Sequence, residues 1–217
     1  MGWLTKIMIQ IKENPRGQFL DSAILKERIV VVQGNLLEQK VDVVVNPTNS
    51  LTSDLRLGNG RTEEKVNSSF KPFKTSETKI TKSENFFHRY VIHTCAPLWV
   101  KDYQEETEKQ LAGCYRNCLN LAEEKQIKTI AFPCIGTLIK GYPKYLSAKI
   151  AVQEVRNFLK ENAFLSKVIF VCQDEMDYKR YSGQLLAQGG GEDFSSVISQ
   201  KLLEKSLHNI LTSLSIR

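Results

Sequence analysis

Short runs of β-branched residues punctuate the first half of the chain. Residues 5–11 alternate Ile7, Ile9 and Ile11 with Met8 and Gln10, the period of two of a half-buried strand. Asn14-Pro15-Arg16-Gly17 breaks that run. Residues 28–33 and 41–45 are dense in Val and Ile, which suits central strands covered on both faces. Gly34-Asn35 ends the first and Asn46-Pro47 the second. Residues 49–75 are polar, contain Gly58 and Gly60, and predict a loop with at most a short helix. Strand patterns return at 86–93, 128–132 and 167–172.

Two stretches change to a helical period. Residues 105–126 place Leu111, Tyr115, Cys118 and Ala122 on one face. From Pro143 to about residue 160, Ala148, Ala151, Val152, Val155, Phe158 and Leu159 form a second apolar stripe. Pro143 suits the first turn, where its missing N–H costs nothing. This order predicts an α/β fold, a three-layer α/β/α sandwich around a mixed, mostly parallel central sheet. Gly189-Gly190-Gly191 then makes a flexible break. Beyond it, residues 195–215 resume a helical stripe of Leu203, Leu207, Ile210, Leu211 and Leu214. The expected units are 1–188, a domain with an N-terminal strand extension, and 189–217, a hinged amphipathic helix. Such a helix docks on its own domain or on a partner.

Composition narrows the class. Of 217 residues, 41% are hydrophobic and 25% charged, which argues against wholesale disorder. No apolar run approaches the roughly 18–20 residues of a spanning helix, so no membrane association is expected. The net charge is +6, from 30 Lys and Arg against 24 Asp and Glu, and favours an anionic partner. The cysteines at 95, 114, 118, 134 and 172 are odd in number and scattered, so buried thiols in a reducing, intracellular compartment (cytoplasm or nucleus) are expected. Cys114 and Cys118 share a helix face, but no second pair or nearby His completes a zinc site, so no metal is expected. No cofactor is expected either.

In an open α/β sheet, ligands bind outside the carboxyl ends of the strands. Three loops leave such ends: Gly34 to Leu37, Asn46 to Gly60, and Gly136 to Gly141. The third runs into a helix start at Pro143. Its glycines let N–H groups turn inward and the helix adds positive potential, as a phosphate cradle requires. A plain strand-to-helix turn has the same spacing.

Four blocks in order then carry a resemblance. Val41-Asp42-Val43-Val44-Val45-Asn46-Pro47-Thr48-Asn49-Ser50 resembles the V-D-A-I-V-N-A-A-N-S signature of the macro domain family. Thr75-Ser76-Glu77-Thr78-Lys79-Ile80-Thr81 resembles its T-G-E-A-K-I-T, and Tyr90 to Pro97 its Y-V-I-H-T-V-G-P. Thr129 to Thr137, followed by Gly141-Tyr142-Pro143, resembles I-A-F-P-x-I-S-T-G-x-x-G-Y-P. Macro domains bind ADP-ribose and its relatives, and some remove ADP-ribose from proteins. The resemblance implies ligand contacts at Asn35, Leu36, Asn46, Asn49, Gly58, Gly60, Ile135, Gly136, Thr137, Leu138, Ile139, Lys140, Gly141 and Tyr142. Asn49 matches the Asn on the distal ribose, and residues 136–142 match the loop around the diphosphate.

Departures from the pattern bear on activity. Asn35 replaces an Asp that accepts from the adenine amino group; its amide oxygen can still accept, without charge. Leu138 replaces a Gly, and its side chain crowds a loop that favours positive φ. Lys140 offers a cation to the phosphates. Active hydrolases of the best-known branch carry G-G-G-V-D, whereas this chain has Gly58-Asn59-Gly60-Arg61-Thr62. Thr62 cannot serve as a base at neutral pH. Glu63 and Glu64 are then the candidate catalytic acids, with Asn49 orienting the ribose, although a solvated acidic helix start is the commoner reading of such a pair. His93 reads as a buried histidine, and His88 as lying on the opposite strand face.

Residues 60–90 carry seven Lys or Arg against four Glu, with Phe70, Phe73, Phe86, Phe87 and Tyr90 interleaved. That pattern suits core aromatics or a nucleic-acid surface. Three functions follow: a module recognising ADP-ribose or an ADP-ribosylated protein, an ADP-ribosyl hydrolase, or a divergent fold binding nucleic acid or a protein partner.

Overall fold

The computed structural model describes residues 27–48, 73–83, 87–137 and 140–187. Six strands of the described residues form one sheet: β1 (Ile29–Gln33), β2 (Val43–Thr48), β3 (Thr78–Lys82), β4 (Tyr90–Cys95), β5 (Thr129–Pro133) and β6 (Lys167–Cys172), in the order β1-β6-β5-β2-β4-β3. All neighbours are parallel except β3, which pairs antiparallel with β4. Among the described residues three helices accompany it: α1 (Gln104–Glu124), α2 (Lys144–Glu161) and α3 (Glu175–Ala187). The architecture is an α/β sandwich, as the alternation predicts.

The main core lies where the helices meet one sheet face. Val43, Val45, Ile92, Ile130, Phe132, Val168 and Phe170 point there, against Leu111, Tyr115, Cys118 and Ala122 of α1 and Ala148, Ala151, Val152, Val155 and Leu159 of α2. Of the predicted α2 stripe only Phe158 stays half-buried. Tyr115, Phe132, Phe170 and Tyr181 form a chain of ring contacts with centroids 5.0–6.4 Å apart. The opposite sheet face buries Val41, Val44, Val91, Ala131, Ile169 and Val171. The near-continuous Val runs thus fill both faces.

Several boundaries differ from the sequence pattern. β2 continues through Asn46-Pro47 to Thr48 instead of ending there. Its pairing with β5 stops at Val44, so Pro47 sits beside an unpaired edge, where a missing N–H is tolerated. β4 begins at Tyr90, later than the expected residue 86, and runs on to Cys95. β3 and α3 went unpredicted. The strand and helix patterns at 5–11 and 195–215, and the break at 189–191, lie outside the described residues. No helix among the described residues is long and apolar enough to cross a membrane.

Candidate functional site

The chain leaves β2 toward β4 and leaves β5 toward β6, so β2 and β5 flank the point where strand order reverses. Their pairing covers only Val43 with Ile130 and Val44 with Ala131. Beyond it the two strands are unpaired, and their carboxyl ends mark the crevice position where ligands of such sheets bind. Asn46 and Thr48 border it from β2, and the loop from Cys134 to Pro143 borders it from β5.

That loop is tied down largely by its backbone. Tyr142 N donates to Gly136 O at 3.1 Å, joining the two ends of the loop. Trp99 N donates to Lys140 O at 3.0 Å, and the Trp99 ring meets Tyr142 edge-on at 4.7 Å. Thr137 Oγ1 turns back to Cys134 O at 3.0 Å. Ile135 is buried: its N–H donates to Tyr115 Oη at 3.4 Å, and its carbonyl accepts from Ser147 Oγ at 3.0 Å. Gly136 and Gly141 have φ of +84° and +66°, which side chains resist. Tyr142 is buried, and its hydroxyl has no hydrogen-bond partner among the described residues.

The loop delivers the chain to the N-terminus of α2. Pro143 is the cap residue and makes no side-chain capping bond, and the first turn holds no acid. The free N–H groups there leave a positive end suited to an anion. Lys144 adds a cation, held by Asp174 at 3.0 Å and Asp177 at 2.9 Å.

On the far side of β5 and β6, Asn35 follows β1. Its Oδ1 accepts from Leu37 N at 3.0 Å and its Nδ2 donates to Glu38 Oε1 at 3.2 Å. The amide is thus oriented by a short 3-10 turn, Leu36–Glu38, whose Leu36 packs on the second apolar face. Glu38 brings a carboxylate beside the neutral Asn.

Of the expected site residues, Asn35, Leu36, Asn46, Ile135, Gly136, Thr137, Lys140, Gly141 and Tyr142 all lie on the carboxyl side of the sheet. Asn49, Gly58, Gly60, Glu63, Glu64, Leu138 and Ile139 lie outside the described residues. Asn46 is buried and in register with His93. His93 Nε2 and Thr81 Oγ1 are 2.8 Å apart, and Nδ1 has no partner among the described residues. Burial lowers its pKa to about 4, so the ring is neutral near pH 7. Asp42 of the V-D signature sits at the opposite, amino end of the strands, bonded to Lys128 N and Thr129 N. Among the described residues no group of His, Cys, Asp and Glu is placed to hold a metal. Cys114 and Cys118 are buried, and burial first of all raises Cys114 to about 11.

The macro domain model matches residues 56–151. An O-acetyl-ADP-ribose deacetylase of Escherichia fergusonii is 33% identical over 77% of this chain and all of its own length. The chain belongs to the macro domain family. This macro domain is also 33% identical to the ADP-ribose glycohydrolase MACROD2 of Xenopus laevis, over 78% of the chain and 43% of that protein. A Trypanosoma brucei macrodomain solved in complex with ADP-ribose superposes with a TM-score of 0.65 at 30% identity, covering 73% of this chain and 69% of that one.

Sequence reasoning missed Trp99, Tyr115 and Ser147 as supports of the loop. Trp99 follows the Tyr90–Pro97 block by two residues, and that proximity was the one available signal. Tyr115 and Ser147 looked like ordinary helix positions. The Ser76 position was marked by a Gly in the family block, and Ser76 does adopt φ +65°.

Proposed function

We propose that this macro domain recognises ADP-ribose or an ADP-ribosyl group on a protein, and acts chiefly as a binding module. The observation that carries this is the closed backbone loop of Gly136 to Tyr142. Its ends carry two left-handed glycines and lead into a helix N-terminus, features that support a diphosphate held through N–H groups. The oriented Asn35 amide at the other end supports an adenine contact, and Lys140 supports a phosphate contact. Asn46 borders the space between, where a ribose hydroxyl needs donors and acceptors, and the family pattern assigns Asn49 to the same ribose. Titration calorimetry with ADP-ribose tests the reading. Saturable heat with one site is expected; no saturation at millimolar ligand overturns it.

A second reading is hydrolysis of the ADP-ribosyl bond. Two relatives, an O-acetyl-ADP-ribose deacetylase and an ADP-ribose glycohydrolase, favour it. Asn49 then orients the ribose and Glu63 or Glu64 assists a water, in place of the Asp that Thr62 replaces. Release of ADP-ribose from modified protein, lost in Glu63→Gln or Glu64→Gln, is the expected result. Unchanged rates in both variants exclude these acids, and no release from acidic- or serine-linked substrates leaves binding alone.

A further inference from the structure

The Cys134 thiol donates to Cys172 Sγ at 3.8 Å. Cys134 lies one residue past Pro133, and Cys172 one residue past Val171, and those two residues are paired across β5 and β6. Facing positions on neighbouring strands are about 4.8 Å apart, inside the roughly 4.4–6.8 Å Cα separation that disulfides span. Of the five cysteines, only Cys134 is partly exposed; the other four are buried. A thiol on a partly exposed residue therefore stands directly against a thiol on a buried one. Neither the proposed binding nor the proposed hydrolysis uses them.

The pair also lies beneath both arms of the crevice. Cys134 O accepts from Thr137 Oγ1, and Ile135 begins the loop that closes through Tyr142. Cys172 is in register with Gln33, and its carbonyl accepts from Gly34 N at 2.9 Å, next to Asn35.

We propose that Cys134 and Cys172 form a reversible thiol–disulfide site, oxidised by a small disulfide such as oxidised glutathione. Cys134 loses its proton to solvent and its thiolate attacks one glutathione sulfur, forming a mixed disulfide and expelling glutathione thiolate. Cys172 then loses its proton and attacks the Cys134 sulfur, expelling the second glutathione. Two protein thiols are oxidised and one glutathione disulfide is reduced to two thiols. The Cys134 contact, and then burial, hold the Cys172 thiol well above its ordinary range. Burial persists once Cys134 is in the mixed disulfide, and because the thiolate is the attacking species the second step quickens as pH rises.

Bonding draws the sulfurs from 3.8 Å to about 2.05 Å. That movement displaces the residue before Ile135 and the strand end that holds Gly34. Oxidation therefore weakens ligand binding, and ligand reciprocally resists oxidation. This coupling, unlike the disulfide itself, rests on the ADP-ribose reading.

The test equilibrates the full chain, without ligand, over a series of reduced-to-oxidised glutathione ratios. Acid quenching, alkylation and peptide mass mapping follow. The expected product has lost two hydrogens, links the Cys134 and Cys172 peptides, and reverts with dithiothreitol. Cys134→Ser abolishes all reaction, whereas Cys172→Ser traps the mixed disulfide on Cys134, a product that misfolding alone does not give. Cys172→Val repeats that trap with an apolar filling, and melting curves under reduction check that each variant folds. A persistent mixed disulfide in the unmodified chain, or an untouched Cys134 at every ratio, overturns the site. Calorimetry on the oxidised form is expected to show ADP-ribose bound about fivefold more weakly; equal affinity overturns the coupling. If the reduced chain does not bind ADP-ribose, the binding reading fails while the mass result still decides the disulfide.

Discussion

The two ends of the sheet are built by opposite rules. At the amino end of the strands, Asp42 accepts from Lys128 N at 3.1 Å, Thr129 N at 3.0 Å and Thr129 Oγ1 at 3.0 Å, and lies 3.4 Å from Arg89. On the same side, Arg28 donates to the carbonyls of Leu159, Asn162 and Leu165, closing the end of α2. Charged groups there are spent on backbone partners. At the carboxyl end, Gly136 and Tyr142 are joined by a backbone bond, and the Tyr142 hydroxyl, Thr94 Oγ1 and His93 Nδ1 lack partners among the described residues; at the amino end the His88 ring, just ahead of β4, is the one exception to the satisfied pattern among the described residues. Satisfied polar networks make a rigid base, and unsatisfied buried groups mark where structure serves something other than stability. The conspicuous Asp of the V-D signature thus belongs to the base and not to the chemistry.

The largest expected effect tests the unsatisfied end through pH. His93 has a folded pKa near 4 against an ordinary 6.5, because burial disfavours its charged form. As pH falls below 6.5, the unfolded chain takes up the proton first. The stability that a neutral His93 contributes is complete above pH 6.5 and is lost as pH falls toward 4, a change of about 3 kcal/mol. His88, also buried and also lowered, acts in the same direction. Urea unfolding at steps from pH 7 to 4.5 should show this slope, and His93→Gln should flatten it. An unchanged slope in the variant contradicts the assignment.

Asp42→Ala tests the other end. It strips acceptors from two backbone N–H groups and a hydroxyl and should cost about 2 kcal/mol of stability. ADP-ribose affinity, measured well below the melting temperature, should not change. A loss of affinity larger than the loss of stability would join the two ends that the comparison separates.

The sequence made the base of the fold legible because buried parallel strands need continuous Val and Ile. It hid β3, whose Thr-Lys-Ile-Thr-Lys offers one apolar residue to the core and otherwise suits a protected edge. It hid α3 because that helix buries Asp177 and Tyr181 and not an aliphatic stripe; Asp177 is held by Lys144 and Arg180. At the site, Gly136 and Gly141 were visible because left-handed turns demand glycine. The supports Trp99, Tyr115 and Ser147 were not, since each is brought to the loop by tertiary packing alone.

Gly136→Ala asks whether the loop's backbone is the binding element. The new Cβ would meet Tyr142 Cβ at 3.4 Å, an ordinary contact, so space is available. The φ of +84° is what the side chain opposes. The backbone should shift, and affinity for ADP-ribose should fall about tenfold, or ~1.4 kcal/mol. Equal affinity would mean that the ligand is held elsewhere.

The smallest effect separates the loop's backbone from its one side-chain charge. Lys140 is tethered through its carbonyl to Trp99 N, so Lys140→Ala leaves the loop closed and removes only the ammonium. If the N–H groups and the helix end supply most of the anion binding, affinity should fall only about threefold, and the loss should shrink as salt rises. Calorimetry at low and moderate salt distinguishes the cases. A large, salt-independent loss would make Lys140 a buried phosphate partner, and the carboxyl end would then use charge as the amino end does.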